Sequence, residues 1–220
     1  MRKIFYLLFC FIYFQSLNAQ ILINEYSAAN YDSYQDNYGE YEDWVEIYNS
    51  TVNPIDINGW YLSDKINNPL KWQIPGSLTV PGLGGVLIYC SGRDEVTGGY
   101  AHTNFKLTQT KGNEVLMLSD ASGTLQDSIR VSPNQKGHST GRITGGSITW
   151  GVFNPATPAS MNINAFSSYA PIPVFSIPSG YYTGSAQVII TSSNPNVTIY
   201  YTTDGSSPDN TSTQYTTPIT

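Results

Sequence analysis

Apolar and polar positions alternate over short distances along this chain, and no stripe of helical spacing is visible. β-rich runs cover residues 21–26, 44–48, 59–62, 85–90, 114–118 and 128–131. They are separated by Asn53-Pro54, Asn67-Asn68-Pro69, Pro75-Gly76, Pro81-Gly82 and Ser122-Gly123, residue pairs that suit turns and interrupt extended ladders. Val45 and Ile47 alternate with Glu46 and Tyr48, which predicts a half-buried strand with the first pair inside and the second outside. Val115, Leu116, Met117 and Leu118 are apolar throughout, which predicts burial on both faces or at a sheet interface. Short strands at this spacing predict an all-β sandwich.

From Phe153 the pattern changes. Asn154-Pro155-Ala156-Thr157-Pro158-Ala159-Ser160 and Pro171-Ile172-Pro173 carry no alternation, so residues 154–172 read as a linker. Strand signals resume at 173–176, 186–191 and 198–202, with Asp204-Gly205 as a turn. The expected organisation is a first domain over 20–153, the linker, and a second β-sandwich module over 173–220. That last stretch is short for an independent sandwich without disulfides, so the module is expected to be incomplete.

The first nineteen residues are set apart from the fold. Arg2-Lys3 precede an apolar run over 4–14, and Ala19-Gln20 offers a cleavage point, the build of a secretory signal. A membrane-spanning helix needs roughly twenty apolar residues, and no segment approaches that length. The expectation is a secreted or cell-surface protein with no membrane span. Cys10, after Leu7-Leu8-Phe9, is the alternative lipidation point, but the hydrophobic stretch before it is too short.

Removing the signal leaves Cys90 as the one cysteine, so stability must come from packing and not from a disulfide within the chain. It also moves the net charge from −6 to −8, because Arg2 and Lys3 leave with it. An acidic chain makes a poor partner for nucleic acid. Glu25, Asp32, Asp36, Glu40, Glu42, Asp43, Glu46, Asp56 and Asp64 all precede Lys65, the first basic residue of the mature chain. One end of the first domain should carry a negative field.

Candidate chemistry is sparse. Gly137-His138-Ser139-Thr140-Gly141 satisfies a nucleophile-elbow pattern, but no buried strand precedes it, no helix follows, and His138 is the last histidine; neighbouring side chains on a strand also point to opposite faces. No catalytic residue is assigned. His102 and His138 are too few for a zinc site, and a loop hydrogen bond is expected of His102. Asp32, Asp36, Glu40 and Asp43 crowd hard oxygen ligands with no lysine or arginine between Gln20 and Asp64, which makes calcium the candidate ion; no other cofactor is expected. Trp44, Trp60 and Trp72 alternate with polar residues, and core packing is expected of at least two. Tyr31, Tyr34, Tyr38 and Tyr41 are the candidate contacts to an extracellular protein or carbohydrate.

Residues 21 to about 162 resemble the lamin tail domain of bacterial secreted proteins. The matching stretches include Ile23-Asn24-Glu25, Glu42-Asp43-Trp44-Val45-Glu46-Ile47-Tyr48-Asn49, Ile57-Asn58-Gly59-Trp60-Tyr61-Leu62-Ser63-Asp64, Lys71-Trp72-Gln73-Ile74-Pro75, His102-Thr103-Asn104-Phe105-Lys106-Leu107, Asp127-Ser128 and Gly141-Arg142. The resemblance implies an immunoglobulin-like sandwich. Residues 173–220 are similar to the module at the C-terminus of chitobiase and β-hexosaminidase, carried by Pro178-Ser179-Gly180-Tyr181-Tyr182 and Tyr200-Tyr201-Thr202-Thr203-Asp204-Gly205. Together they imply a non-catalytic extracellular binding or structural module, an adhesion surface or spacer for a larger surface protein. The pairing is also similar to surface proteins that continue into a spore-coat kinase-like domain, so the alternative is the accessory N-terminal region of a secreted enzyme whose catalytic domain lies beyond residue 220.

Overall fold

Residues 20–220 are described in a computed structural model of the protein; the expected signal over 1–19, with Cys10, lies outside the described residues. The chain divides into two compact units, one ending at Ser167 and the other running from Ser168 to Thr220. Every described element of regular structure is a strand, and no described helix is long and apolar enough to cross a membrane.

The first unit contains β1 (Ile21–Ser27), β2 (Trp44–Asn49), β3 (Ile55–Asp56), β4 (Tyr61–Ser63), β5 (Trp72–Gln73), β6 (Thr79–Val80) and β7 (Gly85–Tyr89). It continues with β8 (Glu95–Thr97), β9 (Tyr100–His102), β10 (Val115–Ser119), β11 (Leu125–Arg130), β12 (Ser139–Arg142) and β13 (Trp150–Phe153). One sheet has the order β13-β12-β1-β2-β7-β9-β8, a second has β11-β10-β4-β5, and β3 pairs with β6. All pairings in these sheets are antiparallel except β7 with β9.

The core lies between the two large sheets. Ile23, Tyr26, Val45, Ile47 and Ile88 of the first meet Leu62, Trp72, Leu116 and Leu118 of the second. Burying each such aliphatic side chain contributes roughly 1.5–3 kcal/mol. Cys90 is free and buried within the same cluster, and burial pushes its thiol up, so it acts as a small apolar group. Trp44 and Trp72 are buried, and Trp60 is partly buried against the core.

An irregularity in β1 decides which side chains leave this core. Ile23 pairs with Ile47 while Glu25 pairs with Glu46, so Asn24 is an extra residue in the β1–β2 ladder. Ile23 and Tyr26 both enter the core, and the bulge turns Asn24 and Glu25 to the outer face together.

That outer face differs from expectation. Glu46, expected to face solvent, is only 2% exposed, and Glu25 is 0%. The cover is the proline-rich segment expected to be a linker from 154 onward. Residues 154–167 belong to the first unit, and Phe166 bridges back to Val152. The segment shows no alternation because it crosses the sheet and satisfies its backbone on side chains: Thr157 N donates to Glu25 Oε1 at 2.9 Å and Ala159 N to Glu46 Oε2 at 2.8 Å.

The second unit contains β14 (Val174–Phe175), β15 (Ile190–Thr191), β16 (Tyr200–Tyr201) and β17 (Thr213–Gln214). They form two antiparallel ladders, β14-β15 and β16-β17, with Val188 bridged to Ile219. Ile190 is its one buried hydrophobic residue, while Phe175 and Tyr181 stand in solvent.

Candidate functional site

Residues 30–43, which connect β1 to β2, carry all eight residues expected to touch an ion or a ligand. Asn30 anchors the loop: its Nδ2 donates to the carbonyls of Tyr34 (2.7 Å) and Glu42 (2.8 Å), and its Oδ1 accepts from Tyr34 N. Asn30 is buried, so these bonds meet most of what its amide can make. Asp36 sets the tip. Its Oδ1 accepts from Tyr38 N at 2.8 Å and Glu40 N at 2.9 Å, and Gly39 takes the positive φ of 75° that this turn requires.

His102 fastens the tip to β9. Its Nε2 lies 2.7 Å from Asn37 Oδ1 and its Nδ1 3.0 Å from Ser91 Oγ. An amide oxygen only accepts, so the proton sits on Nε2 and the serine hydroxyl donates to Nδ1. Burial, the leading cause, pushes the imidazole below its usual range, which favours the neutral ring. The ring stacks on Tyr89 at 5.2 Å and meets Tyr38 edge-on at 5.5 Å. The expected hydrogen-bonding role therefore holds, from a buried strand position and not from a loop.

The four candidate carboxylates divide: Asp36 and Glu40 meet at Arg93, while Asp32 and Asp43 do not join them. Asp32 pairs with Lys136 at 2.7 Å, Glu40 with Arg93 at 2.5 Å, and Glu42 with Lys106 at 2.9 Å. Asp36 Oδ2 is buried without a hydrogen bond and lies 3.8 Å from Arg93 Nη1. Asp43 Oδ1 accepts from Asn30 N; burial first, then repulsion from Glu42, pushes its carboxyl up to about 6 against the hydrogen bond. Among the described residues, no group of three histidine, cysteine or acidic side chains is arranged to hold a metal ion. The positive charge missing from the local sequence arrives from Arg93, Lys106 and Lys136, far along the chain.

The tyrosines separate into two roles. Tyr34 packs against Trp44, Leu87 and Tyr89 on the outer face of the sheet. Tyr31, Tyr38 and Tyr41 are 65%, 50% and 44% exposed. Arg93 lies over the Tyr38 ring at 4.5 Å, and Tyr38 donates its hydroxyl to Glu95 Oε1 at 2.5 Å, a bond that pushes the phenol above its usual range. Arg93 and Glu95 carried no local motif; only the shortage of positive charge in the loop pointed to a distant base.

Ser139 is not a nucleophile in an elbow. It is buried on β12, its Oγ donates to Glu25 Oε1, and β13 follows. Glu25 in turn accepts from Thr157 N and, at 2.8 Å, from Thr157 Oγ1. Glu46 accepts from Asn24 Nδ2 at 2.7 Å. Burial outweighs these bonds: it pushes Glu25 up, and Glu46 up to about 7.

The first unit is thus a two-sheet, immunoglobulin-like β-sandwich whose polar residues hold its loops in place. The chain belongs to the lamin tail domain family, whose model matches residues 15–133, more than half of its length. Residues 177–220 match the chitobiase/beta-hexosaminidase C-terminal domain. No curated protein matches the chain.

Proposed function

We propose that this protein is a secreted, non-catalytic binding module of the cell exterior, an adhesion surface and spacer within a larger surface assembly, and that residues 31–41 form its contact face for an extracellular protein or carbohydrate. The reading rests on one observation: a loop fixed from beneath by Asn30, Asp36 and His102 holds Tyr31, Tyr38 and Tyr41 out in solvent. Aromatic rings pre-positioned by a rigid support lose little conformational entropy on binding. The signal-like start, Arg2-Lys3 and the apolar run over 4–14, supports the exterior location.

The test is retention of the full chain on immobilised polysaccharides and on extracellular matrix proteins. Tyr31→Ala and Tyr41→Ala combined, which leave the Tyr38 contacts to Arg93, Glu95 and His102 in place, should abolish retention while the melting temperature changes little. Equal retention of the wild type and the double variant would sink the assignment of this face.

A further inference from the structure

On the outer face of the seven-stranded sheet, away from the tyrosine-bearing loop, the covering segment leaves a cavity of about 430 Å³, within the size range of ligand pockets, roughly 300–1,000 Å³. Asn24 and Glu46 are among its polar lining residues, and Leu83, Met161 and Ile163 are among its apolar ones. These three apolar residues are 59%, 77% and 58% exposed, so they form an open rim and not a closed core.

Three features mark the cavity as built. The bulge in β1 turns Asn24 to this side, and although Asn24 is 2% exposed, its Oδ1 has no hydrogen-bond partner. A buried acceptor left unmade costs about 1–3 kcal/mol, which a donor in the cavity would recover. Backbone strain gathers here as well: Leu83 (φ 52°) and Ala159 (φ 55°) line the cavity, and Asn164 (φ 60°) follows Ile163. Two glycines also pack closely on the wall side chains. A Cβ at Gly85 would come within 2.9 Å of Glu46 Cδ, and one at Gly145 within 2.6 Å of the Tyr48 ring.

Charge selects the occupant. Glu25 and Glu46 pair across the β1–β2 ladder, both buried, and among the described residues no lysine or arginine forms an ion pair with either. The nearby strand's Arg142 is committed to Asp127 at 2.7 Å. An anion is therefore excluded, and a metal ion would find one carboxylate and one amide oxygen, too few hard ligands for calcium.

We propose that this cavity recognises a basic side chain, lysine or arginine, of a partner protein, with the cationic head on Glu46 and Asn24 Oδ1 and the apolar stem between Leu83, Met161 and Ile163. A cation there supplies both the opposite charge that Glu46, the carboxylate lining the cavity, lacks and the donor that Asn24 awaits, while the aliphatic stem of such a side chain covers the exposed rim. The site stands independently of the tyrosine face.

The test titrates the isotopically labelled full chain with n-butylammonium and n-butylguanidinium, with n-pentanol and calcium as separate arms, and follows the amide resonances of Gly85 and Gly145 and the Asn24 side chain. The two cations should shift these signals saturably, and pentanol and calcium should not. Glu46→Gln should weaken the response at least tenfold. Thr144→Lys, which sets an ammonium at the exposed edge of the cavity, should abolish it and raise the melting temperature at pH 7.5. Equal shifts with pentanol would reduce the cavity to an apolar groove, and shifts with calcium alone would make it a metal site. An undiminished response in Thr144→Lys would overturn the proposal even if Glu46→Gln did not fold.

Discussion

Glu25 and Glu46 face one another as register partners of β1 and β2, both buried, on the side of the sheet turned away from the core. Their charges are met by hydrogen bonds from Asn24, Ser139, Thr157 and Ala159 and not by a cation. This arrangement ties the stability of the domain to pH.

Glu46 titrates near 7 in the fold against an ordinary 4.5, and Asp43 near 6 against 3.8. The folded chain then keeps protons that the unfolded chain has released, so stability falls as pH rises from about 4 to about 7. Below that window Asp56, where burial pulls upward but three hydrogen bonds together prevail, and Asp120, held down by its hydrogen bonds, lie under their usual range and reverse the trend. Thermal unfolding should show a maximum near pH 4–5 and a melting temperature lower at pH 8 by on the order of 5 °C. Glu46→Gln should flatten this slope and melt above the wild type at pH 8, since Asn24 can turn its amide to accept from the new one. A stability maximum at pH 7–8 would contradict the assignment.

Arg142 ties β12 to β1, to the turn before β13 and to β11 of the second sheet. Its Nε donates to Ile23 O, its Nη1 to Ser147 O and its Nη2 to Asp127 Oδ2, which also accepts from Ile23 N. Arg142→Met strands the Asp127 carboxylate, and the loss should be about 3 kcal/mol in urea unfolding. Arg142→Met with Asp127→Asn should recover part of it, because the uncompensated charge is gone. Additive losses in the double variant would show that the pair is not coupled.

The strands that pair along alternating runs were legible in the sequence, and so was the burial of at least two of Trp44, Trp60 and Trp72, though not that the two fully buried ones are Trp44 and Trp72. Glu46 was not, because alternation reports which face a residue occupies and not what covers that face. The cover came from residues 154–167, whose prolines erase any periodic signal while their N–H groups reach buried carboxylates. The short strands β8, β9, β12 and β13 also left little trace, since three or four residues seldom complete a pattern. In the loop site, the acidic residues and tyrosines were visible, but their partners Arg93, Glu95 and His102 meet them only through the parallel pairing of β9 with β7 and the β8–β9 hairpin.

Those distant partners change the expectation for calcium. Arg93 stands within 4 Å of Asp36, Glu40 and Glu42, occupying the electrostatic role that an ion would fill. Exposed ion pairs are individually worth roughly 0–1 kcal/mol, but Arg93 serves three carboxylates and the Tyr38 ring. Millimolar calcium should leave the wild-type melting temperature within about a degree of its value in chelator. Arg93→Ala should lower it by a few degrees, and Asp36→Asn should then restore part of the loss. A calcium-dependent rise of several degrees in the wild type, about what a site at a hundred times its dissociation constant confers, roughly 2.7 kcal/mol, would return the acidic loop to the role of an ion site.

The covering segment also sets where the first domain ends. A boundary at residue 153 removes Thr157, which gives two hydrogen bonds to Glu25, Ala159, which gives one to Glu46, and Asn162, whose Nδ2 donates to Arg142 O at 2.7 Å. Each such bond contributes about 1 kcal/mol, more where it meets a charge, and the cluster of Trp44, Leu87 and Tyr89 also loses Ala156, which packs against it. A chain of residues 20–153 should therefore melt well below one of residues 20–167. Its pH dependence should weaken as well, because solvent reaching Glu46 removes the burial that raises its pKa. Limited proteolysis of the full chain should cut between residues 168 and 172, where the two compact units divide, and spare 155–163. Equal melting temperatures for the two shorter chains, or first cleavage within 155–163, would show that the segment lies loosely on the sheet and that the carboxylate pair is open to water.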